Sequence, residues 1–200
     1  MENKKYVEYA GDIHQSGNHL LALINDILEI SKAVAGKFEL TEQEFDVEKA
    51  LAESVGMQET QIVQKNIRLD ILVQRNLPPF CGDELRVRQI FLNRLSNAVK
   101  LTPENSLVTI DAFLDEGGLG IYISDTGMGI SLEQQDQVFE EFSRTDSDRV
   151  RAIKGTGLGL PMSKMPAQLH GGSMALKSEL NVGTTSQVWF PKDWLVSLAA

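Results

Sequence analysis

The amino-acid sequence predicts an α+β protein, a two-layer sandwich in which helices cover one face of a mixed or antiparallel sheet. Two pairs of strand-like segments support this fold class, residues 107–115 with 118–125 and residues 172–180 with 184–191. Between and before these pairs lie segments that have helix caps and helical patterns of apolar residues. Together the strand pairs and helices predict one sheet with a helical layer.

Length and charge limit what the chain can do. Its 200 residues can bury one core and leave room for a short extra element. A formal net charge of −9 would repel the phosphate backbone of nucleic acids, so we expect no DNA or RNA binding. No segment approaches the roughly 20 apolar residues that span a bilayer, and the first ten residues lack the apolar core of a signal peptide. We therefore expect a cytoplasmic location and no membrane contact by this chain.

The first 35 residues predict one helix of an incomplete helical bundle. Apolar or small residues recur there in alternating steps of four and three, which is a heptad pattern: Tyr6, Ala10, Ile13, Gly17, Leu20, Ile24, Ile27 and Ser31. Further apolar residues widen this face, so the helix needs more than one partner to cover it. Without these partners, we expect the exposed apolar face to drive self-association.

The helical pattern ends in glycine within residues 33–40, which predicts a second domain over residues 36–192 and a C-terminal tail at 193–200. This domain is expected to begin with short strand material at 38–47. A helix follows from Asp46, the predicted N-cap, to about Lys65.

The rest of the domain alternates between strands and helices. Residues 67–73 have the alternation of a strand, residues 76–84 break it, and Asp83 starts a helix that runs through Leu101. Glu116, Gly117 and Gly118 then separate two strands of a hairpin. Further helices are predicted near 131–139 and after Gly159, before the last pair of strands.

One face of the helix that starts at Asp83 is polar. Asn93, Asn97 and Lys100 stand at i, i+4 and i+7 and so share a side of the helix. The other side carries the apolar residues Leu92, Leu95 and Val99. The polar stripe could be ordinary solvated surface. Alternatively, two amide oxygens and one ammonium group suit a magnesium ion and a phosphate.

Two segments combine glycines with a strand end or a helix start. "GTGLGL", residues 155–160, lacks the complete spacing of the dinucleotide fingerprint, and the chain has no G-x-x-x-x-G-K-[ST] P-loop. It is either a flexible turn before a helix or a loop that holds an anion. In "SDTGMGI", residues 124–130, a carboxylate closes an apolar strand, where an isolated aspartate usually forms a turn.

Five segments carry a resemblance to a known family: "NRLSNAVKLTP", "SDTGMGI", "VFEEFSR", "GTGLGL" and "VGTTSQVWF". In order and approximate spacing they resemble the N, G1, F, G2 and G3 boxes of the ATP-binding catalytic domain of sensor histidine kinases. The match covers about residues 36–192, and residues 1–35 resemble the second helix of the dimerisation domain. The resemblance implies a Bergerat-type sandwich that binds ATP with Mg²⁺.

The resemblance also implies a role for each matching residue. Asp125 would accept a hydrogen bond from the adenine amine, and Gly127 and Gly129 would let the backbone approach the base. Asn97 would supply an oxygen to Mg²⁺, Lys100 would meet the phosphates, and Asn93 would lie beside them. The loop that wraps the triphosphate would consist of Gly155, Thr156, Gly157, Leu158 and Gly159.

The segment between the F box and this loop has the polar, charge-mixed composition of a mobile ATP lid. Phe139 and Phe142 would anchor it by packing. Four cations either reach the γ-phosphate when the lid closes or form solvated surface: Arg144, Arg149, Arg151 and Lys154.

The chain departs from its ATP-hydrolysing relatives at Asn93, where they have a glutamate that activates water. Because an amide cannot act as a general base near neutral pH, we expect ATP to be bound and not hydrolysed. The acceptor-histidine motif of the kinases is absent, and neither His14 nor His19 matches its position. His170 is predicted to cap the end of its helix, and Pro166 to kink that helix.

Two functions follow from these observations. The first is the catalytic half of a kinase, a fragment that transfers phosphate from ATP to a histidine elsewhere. In the family, such a protein is a homodimer through the N-terminal bundle and passes the phosphate to an aspartate of a response regulator receiver domain. The second is a regulatory or scaffolding relative that uses the same fold to bind a signalling partner.

Overall fold

The computed structural model describes residues 39–135, 138 and 159–196, together with residues 6, 7, 9–11, 13, 14, 17, 20, 21, 24, 25 and 28. The chain divides into two compact units, Met1–Glu39 and Leu40–Ala200. In the part of the chain that the structure describes, no helix is both long enough and apolar enough to cross a lipid bilayer.

The described residues of the first unit up to residue 28 are all helical, and their side chains are exposed. Ile13 is 73% exposed, and even Ile24, the least exposed large apolar residue among them, is 46% exposed. The same face includes Leu20, Leu21 and Leu28, each more than half exposed. Among the described residues of the first unit, the helix predicted from the heptad pattern therefore presents an exposed apolar face.

This exposed face predicts self-association of the purified chain. We expect sedimentation to show dimers or larger species at micromolar concentrations, because association removes apolar area from water. The double variant Ile13→Lys and Leu20→Lys is expected to sediment as a monomer. Val63→Lys is the matched control, because Val63 is as exposed (70%) but lies in the other unit. A wild-type chain that stays monomeric at high concentration with its helix content intact would contradict this prediction.

The second unit contains seven strands, five α-helices and a short 3₁₀ helix among its described residues. In chain order they are β1 (Gln43–Phe45), α1 (Val47–Gly56), α2 (Glu59–Gln64), β2 (Arg68–Val73), β3 (Phe80–Gly82), α3 (Glu84–Leu101), β4 (Leu107–Leu114), β5 (Gly118–Asp125), α4 (Leu132–Gln135), α5 (Pro161–Leu169), β6 (Ser173–Glu179), β7 (Gly183–Pro191) and the 3₁₀ helix Lys192–Trp194.

Five of the strands form one sheet with the order β2-β4-β5-β7-β6. The pair β2–β4 is parallel and the other three pairs are antiparallel, so the sheet is mixed. The predicted hairpin between β4 and β5 is present, and its turn is closed by Asp115, whose Oδ1 accepts hydrogen bonds from the N–H groups of Gly117 (2.8 Å) and Gly118 (2.9 Å).

One face of this sheet is buried under helices, as predicted. Along β4 the side chains alternate, with Val108, Ile110 and Ala112 buried and their neighbours half-buried. The helix α3 contributes Phe91 and other apolar residues to the same core. On the opposite face, Phe113 and Tyr122 pack edge to face, with ring centroids 5.0 Å apart. The α+β sandwich is thus confirmed.

Two details of the prediction for residues 38–84 are wrong. The helix that begins at the Asp46 cap does not reach Lys65: it ends at Gly56, and α2 begins separately at Glu59. Glycine at the end of α1 explains the break, because glycine loses the most backbone entropy in a helix. The segment 76–84, predicted only to break a strand, contains β3, which pairs antiparallel with β1 in a separate two-stranded sheet.

His170 is a buried node that joins three elements. It is the C-cap residue of α5, as predicted, and it is completely buried. Its Nε2 accepts a hydrogen bond from the N–H of Asp83 (3.0 Å), and its Nδ1 donates to the carbonyl of Pro166 (2.7 Å). Phe80, Phe190 and Trp194 surround the ring. Burial lowers the pKa of His170, which favours the neutral imidazole that these two bonds require.

Asp83 itself caps α3, as predicted: its Oδ1 accepts from the N–H of Arg86 (3.1 Å). The His170 node and the Asp83 cap therefore hold the first turn of α3 and the last turn of α5 together. Pro166 lies inside α5 and is buried. The kink expected there stays a prediction.

Candidate functional site

Asp125 is the last residue of β5, the central strand of the sheet. Its carboxylate accepts a hydrogen bond from the N–H of Gly127, 2.8 Å from Oδ1. Burial raises the pKa of Asp125 to about 6, although hydrogen bonds from the backbone of Gly127 and Thr184 oppose the shift. Above this pH the group is an acceptor-only carboxylate at the end of a strand, which is suited to an N–H donor such as an exocyclic amine.

The glycines after Asp125 are required by close packing. A Cβ atom on Gly127 would lie 2.6 Å from Asp125 Oδ1 and 2.7 Å from the carbonyl oxygen of Leu101. Gly129 has φ 64°, in the left-handed region, and a Cβ there would overlap the carbonyl of Glu179. The loop after β5 therefore runs against the C-terminal end of α3, which carries the predicted polar face.

On α3, Asn93 and Asn97 are half-buried and Lys100 is exposed. The end of the helix is held by Lys65, which the sequence analysis did not identify. Its Nζ donates to the carbonyl oxygens of Val99 (2.9 Å), Lys100 (2.8 Å) and Thr102 (2.9 Å). These carbonyls have no partners within the helix, so Lys65 both satisfies them and opposes the negative end of the helix dipole.

Gly159 brings the start of α5 against α3. Its carbonyl accepts a hydrogen bond from Ser163 Oγ (2.8 Å). A Cβ on Gly159 would lie 3.5 Å from Asn97 Nδ2, so the glycine closely faces the predicted metal-binding side chain. The structure thus brings Asn97 next to Gly159, and Asp125 and Gly127 next to the end of α3.

Several predicted site residues lie outside the described part of the chain. They are Gly155, Thr156, Gly157 and Leu158 of the glycine loop, and Phe139, Phe142, Arg144, Arg149, Arg151 and Lys154 of the predicted lid. His19 also lies outside it, whereas His14 is described as helical and exposed.

A metal ion would find few protein ligands in this site. Among the described residues, no group of three or more His, Cys, Asp or Glu side chains is close enough together to hold an ion. The half-buried amide of Asn97 offers one neutral ligand beside Gly159. This fits Mg²⁺, which commonly takes only one or two ligands from the protein and the rest from substrate phosphates and water.

Comparison with known proteins gives a family and several relatives. Residues 82–193 match the family described as histidine kinase-, DNA gyrase B-, and HSP90-like ATPase. An uncharacterized sensor-like histidine kinase of Rhizobium meliloti is 38% identical over 193 residues, which are 96% of this chain and 37% of that protein. The histidine protein kinase DivJ of Caulobacter vibrioides is 39% identical over 187 residues, 94% of this chain and 31% of that protein. This chain therefore spans about a third of the length of these relatives.

Solved structures agree with this assignment. Full-length ShkA in complex with AMPPNP superposes with a TM-score of 0.82 at 31% identity, covering 96% of this chain and 39% of ShkA. The mycobacterial sensor histidine kinase MprB gives a TM-score of 0.62 at 25% identity, covering 76% of this chain and 97% of that structure.

Proposed function

Because the chain belongs to the family of histidine kinase-, DNA gyrase B- and HSP90-like ATPases, we propose that it is the ATP-binding catalytic part of a two-component sensor histidine kinase. It transfers the γ-phosphoryl group of Mg-ATP to a histidine that is not on this chain, for relay to an aspartate of a response regulator receiver domain. The observation that carries this proposal is the half-buried Asp125 carboxylate, held by Gly127 beside the end of α3.

Each side chain of the site has a part in this proposal. Asp125 accepts a hydrogen bond from the adenine amine, whereas guanine would present a carbonyl to the same carboxylate and be repelled. Lys100 pairs with the phosphates from the exposed end of α3, and the backbone of residues 155–159 wraps the triphosphate. Asn97 would hold Mg²⁺, which when bound neutralises charge on the phosphates.

Asn93 affects whether the bound ATP is hydrolysed. It lies one turn before Asn97, at the position of the water-activating glutamate in the ATP-hydrolysing relatives. An amide takes no proton from water near neutral pH, so hydrolysis loses a contribution of typically 10²- to 10⁴-fold. The γ-phosphoryl group therefore remains available to the imidazole: a P–N bond forms, the bond to the bridging oxygen breaks, and ADP leaves.

The proposed assembly is a cytoplasmic homodimer through the N-terminal helix. The exposed apolar side chains from Ile13 to Leu28 support it, because a bundle of such helices would bury them. The partner of the phosphorylated histidine is a receiver domain, which supplies the aspartate.

The proposal predicts phosphotransfer in trans. The chain is mixed with γ-labelled ATP, with or without a separate dimerisation fragment that carries the acceptor histidine, and the label is tested for acid lability. We expect acid-labile label on the fragment, weakly because the covalent link that raises local concentration is absent, and none on the chain itself. A fragment with the acceptor histidine replaced by alanine is the control.

Two outcomes would contradict the proposal. Acid-labile label on His14 or His19 of this chain would show that the acceptor is the helix itself. No transfer, although calorimetry confirms ATP binding, would favour the regulatory or scaffolding relative.

A further inference from the structure

Arg94 is a buried arginine. It lies on α3 between the two asparagines of the polar face, yet it is only 4% exposed. Burial lowers the pKa of Arg94 to about 9, so the guanidinium stays charged at neutral pH. In the described part of the chain no carboxylate forms an ion pair with it. A buried charge without a counter-charge is costly, so its presence needs a compensating interaction.

The guanidinium is only partly satisfied by the protein. Its Nε donates to Ser163 Oγ (3.1 Å), and the Ser163 hydroxyl in turn donates to the carbonyl of Gly159 (2.8 Å). These bonds fix the guanidinium plane against the first turn of α5. The Nη2 atom is also buried, and no described residue accepts a hydrogen bond from it. One donor of the group is thus used for positioning, and another is left without an acceptor.

The unpartnered nitrogen faces Gly159. The point where a Cβ of Gly159 would lie is 3.2 Å from Arg94 Nη2 and 3.5 Å from Asn97 Nδ2. Two N–H groups, one of them charged, therefore converge on the side of Gly159 that has no side chain. Donors arranged around a positive charge suit an anionic oxygen, and a guanidinium prefers phosphate or carboxylate. Gly159 directly follows residues 155–158, the predicted triphosphate loop.

We propose that Arg94 is a phosphate-binding residue, whose Nη2 donates a hydrogen bond to a nucleotide phosphate oxygen beside Gly159. This inference rests on the proposed ATP binding and adds a contact from inside the protein to that of the exposed Lys100. Because Nη2 is shielded from solvent, the contact requires a rearrangement around Gly159. The buried charge therefore gains its acceptor only when the nucleotide binds.

The test compares nucleotides with and without phosphates. For Arg94→Met we expect calorimetry to show ATP and ADP affinities about 10- to 100-fold lower, because a hydrogen bond to a charged group is lost. The affinity for adenosine, which has no phosphate, is expected to stay unchanged. Without nucleotide the variant should resist chemical denaturation at least as well as the wild type, because an unpaired buried charge has been removed. Inorganic triphosphate should stabilise the wild type against heat more than the variant.

Arg88→Met is the matched control. Arg88 lies on the same helix but pairs with Glu53 (2.9 Å), so its loss should leave all nucleotide affinities unchanged. Arg94→Lys provides a second variant in case methionine impairs folding. It keeps the charge but not the planar fork of donors, and it too should lower ATP affinity and spare adenosine.

The outcomes separate this inference from the proposed function. If the Arg94 variants lost affinity equally for ATP and adenosine and were also less stable, Arg94 would have only a structural role, and the inference would be overturned. An unchanged ATP affinity in both variants would overturn it as well, while leaving ATP binding by the chain intact. A wild-type chain that binds no ATP would overturn the inference and the proposed function together.

Discussion

Replacing Asp125 by asparagine is expected to lower the affinity for ATP by about 100-fold, the upper part of the range for a hydrogen bond to a charged group. The carboxylate is an acceptor at both oxygens, whereas the amide of asparagine can present its NH₂ group to the adenine amine. Calorimetry with ATP and ADP measures this loss of affinity. The wild type should also discriminate against GTP: its affinity for GTP should be no higher than the affinity of the Asp125→Asn variant for ATP. Asp111→Asn, the same substitution in the adjacent strand β4, is the control and should bind ATP normally.

The pKa of Asp125 gives a second way to check the same contact. Because the pKa is about 6 in the unbound protein, the carboxylate takes up a proton as the pH falls through 6 and must lose it again to accept the amine. The affinity for adenosine, which has no titrating phosphate, should therefore fall about tenfold between pH 7.5 and pH 5.0. Constant adenosine affinity over this range would contradict the role of Asp125.

Replacing His170 by alanine is expected to lower the free energy of unfolding of the second unit by about 3–5 kcal/mol. The substitution opens a cavity among Phe80, Phe190 and Trp194, and it removes the acceptor of the Asp83 N–H. The Pro166 carbonyl loses the imidazole donor but keeps its hydrogen bond from the backbone N–H of residue 170. Denaturant titration followed by tryptophan fluorescence measures the change, because Trp194 contacts the ring.

His14→Ala is the matched control for this substitution. His14 is exposed on the first unit, so we expect a change of less than about 1 kcal/mol. If His170→Ala cost no more than this control, the imidazole would not be the node that joins α3, α5 and β3.

Most helices and turns of the second unit could be predicted because they depend on hydrogen bonds between residues close in the sequence. Asp46 and Asp83 cap helices because a short carboxylate reaches the N–H three residues later, and this spacing can be read in the sequence. The same is true of the turn at Asp115. In contrast, β3 follows directly after Pro78 and Pro79 and pairs with a strand some 35 residues earlier in the chain. No local pattern specifies such a pairing.

Two residues near the candidate site, Lys65 and Arg94, are not predicted from the sequence. Both are cations that form hydrogen bonds with groups far away in the sequence. Lys65 satisfies three carbonyls more than 30 residues away, and only the fold brings them together. The sequence does contain a signal for Arg94. It continues the buried stripe of Val87, Ile90 and Phe91 at helical spacing, whereas Leu92, on the predicted apolar side, is only half-buried. A charged residue on a core stripe indicates a special site rather than solvated surface.

The central position of β5 has a consequence for the adenine contact proposed for Asp125. This strand is hydrogen-bonded on one side to β4 and on the other to β7, up to Asp125 itself. Opening it would require both neighbours to separate, so its amides should exchange with solvent nearly as slowly as global unfolding allows. Asp125 is therefore already ordered without a ligand, so the adenine contact proposed for it would carry little entropic penalty on the protein side. The base selectivity proposed for Asp125 would in this way depend on a strand that is paired on both sides and is expected to exchange slowly.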